Sequence, residues 1–164
     1  MGVLPNKEVK IMKKLILLVL CISIIAVPFV SFAAPEFLGA NYTGSVDNLV
    51  DILNPDSFST TTSNSVCVVS AAAKSGTTVA IYMYDAATGM YRKINTYFNG
   101  VKLEESAVGA SGLYARQVLL KEGLNKILVY AQRDGAIQTK RLEVTLLSEA
   151  YVGNLRTFIS SRLN

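Results

Sequence analysis

Residues 77–85 read TTVAIYMYD, and their side chains alternate between two sets with different chemistry. Successive side chains of a β-strand point to opposite faces, so this run predicts one strand with two unlike faces. The aliphatic face consists of Val79, Ile81 and Met83. The other face consists of Ala80, Tyr82 and Tyr84. These residue types favour strands, which makes the run the clearest indication of a β-fold.

Further segments of this kind recur along the chain, with turn residues between them. They cover residues 66–73, 77–85, 91–98, 113–120, 125–133 and 136–147. Asp134 and Gly135 separate the last two segments, and Asp-Gly is typical of a two-residue β-hairpin turn. Short strands rich in Val, Ile, Thr and Tyr at this spacing predict a β-sandwich or a barrel and disfavour βαβ units.

Two blocks of the sequence follow a common order of strands and glycine turns. Residues 66–82 (VCVVSAAAKSGTTVAIY) read as strand, Gly turn and strand. Residues 108–114 (VGASGLY) lead through 118–120 to residues 123–131 (GLNKILVYA), a Gly-Xaa-Asn turn and a strand. These blocks resemble the bacterial immunoglobulin-like domains of secreted and cell-surface proteins, over residues 54–147. The resemblance implies an all-β fold, an immunoglobulin-like antiparallel β-sandwich of about seven strands.

An export signal precedes the β-rich region. Two lysines follow Met12, residues 15–28 form an apolar run, and Ser31-Phe32-Ala33 is a small-x-small cleavage site. We therefore predict a signal-peptide helix that begins at Met12 and is cleaved after Ala33, so that the protein is secreted. Residues 1–11 do not fit a signal peptide, and Met12 is predicted to be the true start. If the leader is retained, residues 15–34 are long enough to anchor the chain in a membrane.

Composition divides the chain into four parts. Residues 1–33 contain the upstream extension and the signal peptide, and residues 34–65 form an acidic, Ser/Thr-rich lead-in without Lys or Arg. Residues 66–147 form the sandwich, and residues 148–164 form a C-terminal amphipathic helix that begins at a Ser cap. Within the lead-in, apolar residues at helical spacing predict a short helix over residues 45–54.

Charge and residue content exclude several functional classes. Most of the formal net charge of +4 lies before residue 34, and the later chain carries twelve basic and eleven acidic residues, so no nucleic-acid footprint is predicted. The chain contains no His, which excludes Ser-His and Cys-His nucleophile pairs and imidazole metal ligands. Glu104 and Glu105 are adjacent and point to opposite faces of a strand, so they cannot flank one glycosidic bond. We expect no enzymatic activity, no cofactor and no metal site.

The aromatic set on residues 77–85 continues onto a neighbouring predicted strand. Residues 77–85 and 125–133 are expected to be neighbours in one sheet of an immunoglobulin-type sandwich. The face that points away from the core then carries Tyr82, Tyr84, Leu128 and Tyr130. A monomer seldom leaves such a contiguous apolar and aromatic patch bare.

Three interpretations of this tyrosine face stay open. The first is tyrosine packing across the strands, which needs no ligand. The second is a cover formed by the C-terminal helix through Leu155, Phe158 and Ile159. The third is a binding surface for a partner protein or a cell-wall glycan, although the absence of Trp weakens the case for a glycan.

Together these features predict a secreted, non-enzymatic immunoglobulin-like module that makes binding or structural contacts at the cell surface or outside the cell. Two alternatives stay open: an accessory carbohydrate-binding domain of an extracellular hydrolase, and a membrane-anchored assembly subunit. The partner is expected to be a protein or a cell-wall glycan and not a nucleic acid. Membrane contact is expected only if the leader is not cleaved.

Overall fold

The computed structural model describes residues 33–94, 96–98, 101–103 and 105–163. The predicted signal peptide, apart from Ala33, lies outside the described residues. The described ranges contain twelve strands and one helix, with the following bounds. They are β1 (Phe37–Gly39), β2 (Val50–Asn54), β3 (Ser59–Thr62), β4 (Val66–Ala73), β5 (Thr78–Asp85), β6 (Met90–Lys93), β7 (Thr96–Phe98), β8 (Val101–Leu103), β9 (Ser106–Ala107), β10 (Leu113–Leu119), β11 (Gly123–Arg133), β12 (Ala136–Leu146) and α1 (Glu149–Leu163).

Two sheets form the body of the fold, and β7 and β8 pair in a separate two-stranded ribbon. The larger sheet has the order β1-β6-β5-β11-β12-β3, with β9 also paired to β5, and the smaller sheet has the order β10-β4-β2. Neighbouring strands of both sheets are antiparallel except for β3, which runs parallel to β12. The predicted all-β class and the C-terminal helix are confirmed in this part of the chain. The predicted pairing of residues 77–85 with 125–133 is also confirmed, as β5 with β11.

The main hydrophobic core contains side chains from both sheets. Val79 and Ile81 of β5 pack there with Ile127 and Val129 of β11, and all four are fully buried. The smaller sheet contributes Val50, Val69, Ala71 and Val118. The other side chains of β5 and β11 enter a second buried cluster. The predicted alternation of β5 is therefore confirmed, and both faces of the larger sheet are buried at its centre.

Residues 34–65, predicted to be a lead-in, contribute three strands to the two sheets. β1 pairs with β6, β2 pairs with β4, and β3 pairs with β12. The predicted helix over residues 45–54 is wrong: residues 45–49 are irregular and β2 follows them. Val50 is buried in the main core, and a helix here would lose the hydrogen-bond ladder of β2 with β4. Tertiary pairing thus overrides the local helical spacing.

Two local predictions agree with the structure. Asp134 and Gly135 have φ angles of 50° and 80°, the positive values that this kind of two-residue hairpin requires. Ser148 caps α1, because its Oγ accepts a hydrogen bond of 3.2 Å from the backbone N–H of Tyr151. In the described ranges, no helix combines the length and the apolar composition that crossing a membrane requires.

Candidate functional site

The tyrosine face predicted from the sequence is buried at its centre. Tyr82 and Leu128 are 0% exposed and Tyr130 is 1% exposed, while Tyr84 at the margin is half-buried. The third interpretation, a binding surface, would need these side chains to be exposed, and in this structure the first three are not. They are neighbours, as expected, because β5 and β11 pair with Leu128 opposite Tyr82 and Tyr130 opposite Ala80.

The cover over this face comes from the N-terminal segment and not from the C-terminal helix. Ala34 and Leu38 are buried in the same cluster, and Tyr42 packs against it. The rings of Tyr42 and Tyr130 have centroids 6.4 Å apart, and those of Tyr82 and Tyr130 are 6.1 Å apart. Both separations are typical of favourable aromatic pairs. The geometry matches tyrosine packing across the strands, with an additional cover that the sequence did not reveal.

Hydrogen bonds hold the two buried tyrosines in fixed positions. The hydroxyl of Tyr82 donates to the carbonyl oxygen of Pro35, and that of Tyr130 donates to Oε1 of Gln132 at 2.9 Å. Burial raises the pKa of Tyr82 well above its usual value and raises the pKa of Tyr130 to about 12, with the neighbouring Tyr42 acting in the same direction. Both hydroxyls are therefore neutral donors at physiological pH, and their role is structural.

The C-terminal helix does not cover the tyrosine face. Leu155, Phe158 and Ile159, which were expected to form that cover, are all exposed on α1, as is Tyr151. The second interpretation of the face is thus wrong, because the N-terminal segment already occupies the space. The helix instead presents an apolar stripe to solvent.

A second exposed apolar surface lies on the outer face of the smaller sheet, and the sequence pattern did not indicate it. The register pairs Leu119 with Val66, Gln117 with Val68, Ala115 with Ser70 and Leu113 with Ala72. We call these eight residues the apolar sheet face. None of them is charged. Leu119 is 72% exposed and Leu113 is 60% exposed, and Val66 and Val68 are exposed as well.

Arg116 explains why the sequence concealed this surface. Alternation assigns Tyr114, Arg116 and Val118 to one face of β10 and the leucines to the other. Hydropathy alone directs the arginine outward and the leucines inward. In the structure Arg116 is buried with Tyr114 and Val118, and its Nη2 lies 3.5 Å from Oγ of Ser106. Alternation therefore separated the two faces of β10 correctly, but it did not indicate which of the two is buried.

A cleft of about 540 Å³ lies beside the half-buried Tyr84. It is lined by residues at the ends of β5 and β6 and by the turn before β11, among them Asp85, Arg92, Lys121 and Glu122. The edge of the Tyr84 ring meets Tyr91 at a centroid distance of 5.4 Å, and Lys126 Nζ lies 5.7 Å from the Tyr84 ring centroid. These contacts occupy much of the ring, which leaves little of it for stacking on a sugar.

The remaining candidate groups show no reactive arrangement in the described ranges. No group of three or more His, Cys, Asp or Glu side chains there could hold a metal ion. Cys67 is a half-buried free thiol, and burial raises its pKa, which lowers the fraction of reactive thiolate. Glu104 lies outside the described residues, so the predicted opposite orientation of Glu104 and Glu105 stays a prediction.

Comparison with known proteins adds no further constraint. No protein-family model matches this chain, and no curated protein matches it significantly.

Proposed function

We propose that this chain is an exported, non-enzymatic, immunoglobulin-like module that binds a protein partner through the apolar sheet face. The observation that carries the proposal is the exposure of Leu119 and Leu113, at 72% and 60%, on a strand whose alternate residues are buried. Aliphatic side chains aligned across two strands form a contiguous surface, and such surfaces mark interaction sites in proteins that are soluble as monomers. Export rests on the leader predicted before Ala34.

Strand order supports the immunoglobulin-like part of the proposal. In that fold one sheet contains strands A, B and E, and the other contains C, F and G, with C′ added in variable-type domains. The smaller sheet here, β2-β4-β10, has the order expected for A, B and E. In the larger sheet, β6-β5-β11-β12 has the order expected for C′, C, F and G.

The chemistry of the apolar sheet face favours a protein over a glycan. Apart from Gln117 its side chains are aliphatic or small, and it offers neither an aromatic ring for stacking nor a charged group. Burial of one exposed leucine side chain stabilises a contact by about 1.5–3 kcal/mol, so Leu113 and Leu119 are suited to act as anchors. The partner should therefore present an apolar surface that excludes water from β4 and β10.

The test is a binding assay with labelled chain 34–164 and the exported and wall fractions of the producing cells. We expect retention that is abolished by protease treatment of the fraction and survives glycan digestion. The double variant Val68→Thr, Leu119→Thr keeps strand-forming residues and should lower the retained fraction by about tenfold. Leu124→Thr is the matched control, since Leu124 is an exposed leucine of β11 outside this face. Retention that is equal for both variants would refute the proposal.

A carbohydrate-binding role is the second candidate, and the cleft beside Tyr84 is the observation that favours it. The charged side chains that line the cleft, among them Asp85, Arg92 and Glu122, can hydrogen-bond to sugar hydroxyls, and they would contribute more than the largely occupied Tyr84 ring. Titration with cell-wall oligosaccharides, for the parent chain and for Tyr84→Ala, tests this candidate. Binding that is lost in Tyr84→Ala and kept in Val68→Thr, Leu119→Thr would favour the accessory carbohydrate-binding role.

A membrane-anchored assembly subunit is the remaining alternative, and it depends on the leader alone. N-terminal sequencing of the exported protein separates it from the secreted module. A first residue of Ala34 supports secretion, whereas an intact leader in the membrane fraction supports the anchored form.

A further inference from the structure

Ala34 occupies a polar pocket next to the tyrosine face. The residue is 3% exposed, and its backbone nitrogen donates a hydrogen bond of 2.8 Å to Oε2 of Glu105. The two residues are 71 positions apart in the chain, so the contact is a product of the tertiary fold. Ala33, the residue before, is exposed.

A buried cation, Lys93, shares this carboxylate. The Lys93 side chain is 3% exposed, and its Nζ lies 3.5 Å from Oε2 of Glu105. The same Nζ also donates to the carbonyl oxygen of Ala34. A carboxylate offers about four lone-pair sites, so Glu105 can accept hydrogen bonds from both nitrogens at once.

The residues that follow Ala34 are also anchored by the larger sheet. The Tyr82 hydroxyl donates to the Pro35 carbonyl, and the backbone N–H of Lys93 donates to the Glu36 carbonyl at 2.9 Å. Phe37 then begins the pairing of β1 with β6. The position of the Ala34 nitrogen is therefore set by consecutive contacts, and the nitrogen is held against the Glu105 carboxylate.

The sequence independently predicts cleavage between Ala33 and Ala34, at the bond that this nitrogen forms. Hydrolysis adds one water and breaks the C–N bond: the Ala33 carbonyl carbon gains the water oxygen and becomes a carboxylate, and the Ala34 nitrogen gains both water protons and becomes an ammonium group. We infer that Glu105 is the binding site for the mature N-terminal ammonium, which replaces an amide donor by a charged one at 2.8 Å. This inference rests on the export and cleavage that belong to the proposed function.

Glu105 would hold the terminal ammonium together with Lys93, so its carboxylate would lie between two cations. The amide–carboxylate bond is already charge-assisted, and an ammonium adds a full positive charge at the donor and three donors where an amide has one. The buried position of Ala34 also sets the order of events. A peptidase needs access to the bond between residues 33 and 34, so cleavage precedes the folding step in which the new terminus enters the pocket.

The first experiment measures the reactivity of the α-amino group in two chains that differ by one residue. Residues 33–164 form one compact unit that contains both core clusters, which makes the chains 33–164 and 34–164 suitable. Each is exposed to a brief acetylation pulse at pH 7 and analysed by mass spectrometry. The peptide that ends before Asp47 contains no lysine and therefore reports the α-amine alone.

We expect the α-amine of chain 34–164 to react at least about tenfold more slowly than that of chain 33–164, because only the former is held in the pocket. In urea the two rates should become equal. Equal rates in the two folded chains would overturn the inference. This comparison needs no substitution in the pocket, so it does not depend on whether a variant folds.

The second experiment separates an ammonium from an amide as the partner of Glu105. Glu105→Gln is placed in both chains, and Glu122→Gln, at an exposed position, is the control. We expect Glu105→Gln to lower the folding equilibrium constant several-fold more in chain 34–164 than in chain 33–164. An equal loss in both chains would mean that Glu105 serves only an amide, which contradicts the inference.

N-terminal sequencing of the exported protein distinguishes failure of this inference from failure of the proposed function. A mature chain that begins at Ala34 supports the inference, and one that begins elsewhere overturns it, whatever the acetylation rates. The binding assay with Val68→Thr, Leu119→Thr is independent of both results. A captured N-terminus without partner binding would thus refute the proposed function alone.

Discussion

Oε1 of Gln138 accepts a hydrogen bond of 2.8 Å from the backbone N–H of Val50, and both residues are buried. The same oxygen accepts a second bond of 2.6 Å from the N–H of Leu49. Gln138 belongs to β12 of the larger sheet, and Val50 begins β2 of the smaller one. One side-chain oxygen therefore joins the two sheets at the point where the N-terminal segment passes between them.

Replacement of this glutamine should destabilise the fold. In Gln138→Ala the N–H groups of Leu49 and Val50 lose their acceptor inside the protein, and each unsatisfied buried donor costs about 1–3 kcal/mol. We expect the free energy of unfolding to fall by about 2–4 kcal/mol in urea titrations at pH 7. Gln117→Ala, at an exposed position of β10, should change it by less than about 0.5 kcal/mol. Similar losses in the two variants would contradict the role of Gln138.

Gly44 permits the close approach of the N-terminal segment to β12. A Cβ atom at this position would lie 2.4 Å from the carbonyl oxygen of Ile137 and 2.6 Å from Cα of Gln138. Because both contacts are with backbone atoms, Gly44→Ala must displace the segment, at a cost of about 1–3 kcal/mol. Gly109→Ala is the control, since a Cβ there meets no atom within 4 Å. Thermal unfolding should show a clear drop for the first variant and little change for the second.

Tyr114 should make stability fall at alkaline pH. Burial raises its pKa to about 12, while Arg116 acts in the opposite direction. A tyrosine ionises near pH 10 in the unfolded chain. The contribution of Tyr114 to the free energy of unfolding is therefore fully present below pH 10. It declines as the pH rises towards 12, because the Tyr114 hydroxyl loses its proton in the unfolded state before it does so in the folded state. The two-unit difference corresponds to a loss of up to about 3 kcal/mol.

The variant Tyr114→Phe tests this pH dependence. The Tyr114 hydroxyl has no hydrogen-bond partner among the described residues, so we expect stability at pH 7 to be unchanged or higher. Between pH 10 and 12 the variant should lose less stability than the parent chain, although Tyr82 and Tyr130 titrate in the same direction. Tyr151→Phe, on the exposed face of α1, should keep the full alkaline loss. If stability depended on pH in the same way in Tyr114→Phe as in the parent chain, the alkaline loss would not come from Tyr114.

Tyr130 is expected to affect stability and not binding. Its ring packs between Tyr42 and Tyr82, and truncation of a buried aromatic side chain costs about 3–5 kcal/mol. Tyr130→Ala should therefore lower the urea midpoint strongly, and Tyr84→Ala should lower it less because Tyr84 is half-buried. A stable Tyr130→Ala variant that loses partner binding would restore the tyrosine face as a binding surface.

Much of the β-structure could be predicted because it depends on local sequence. Alternation and turn residues located β4, β5, β11 and β12 within a residue or two, and the Asp134–Gly135 turn followed from its composition. Residues 45–54 show the limit of local information. Their helical spacing is real, but pairing of β2 with β4 and burial of Val50 decide the conformation.

The candidate surfaces show the same limit for function. Alternation predicted that Tyr82, Leu128 and Tyr130 share a face, and the structure agrees. It did not predict the cover, because Leu38 and Tyr42 come from a segment about 40 to 90 residues away in the chain. For β10 the hydropathy of the side chains indicated the wrong buried face, since Arg116 is buried and Leu119 is exposed.

The sequence by itself determined β4, β5, β11 and β12, the Asp134–Gly135 turn, the helix cap and the residues that share each face, because these depend on near neighbours and on a period of two. The tertiary structure alone decided which faces are covered, where the N-terminal segment lies and which carboxylate meets the Ala34 nitrogen. The physical reason is that periodicity defines the two sides of a strand but does not indicate which side is buried. Burial of one side depends on distant segments whose packing and hydrogen bonds no local pattern contains.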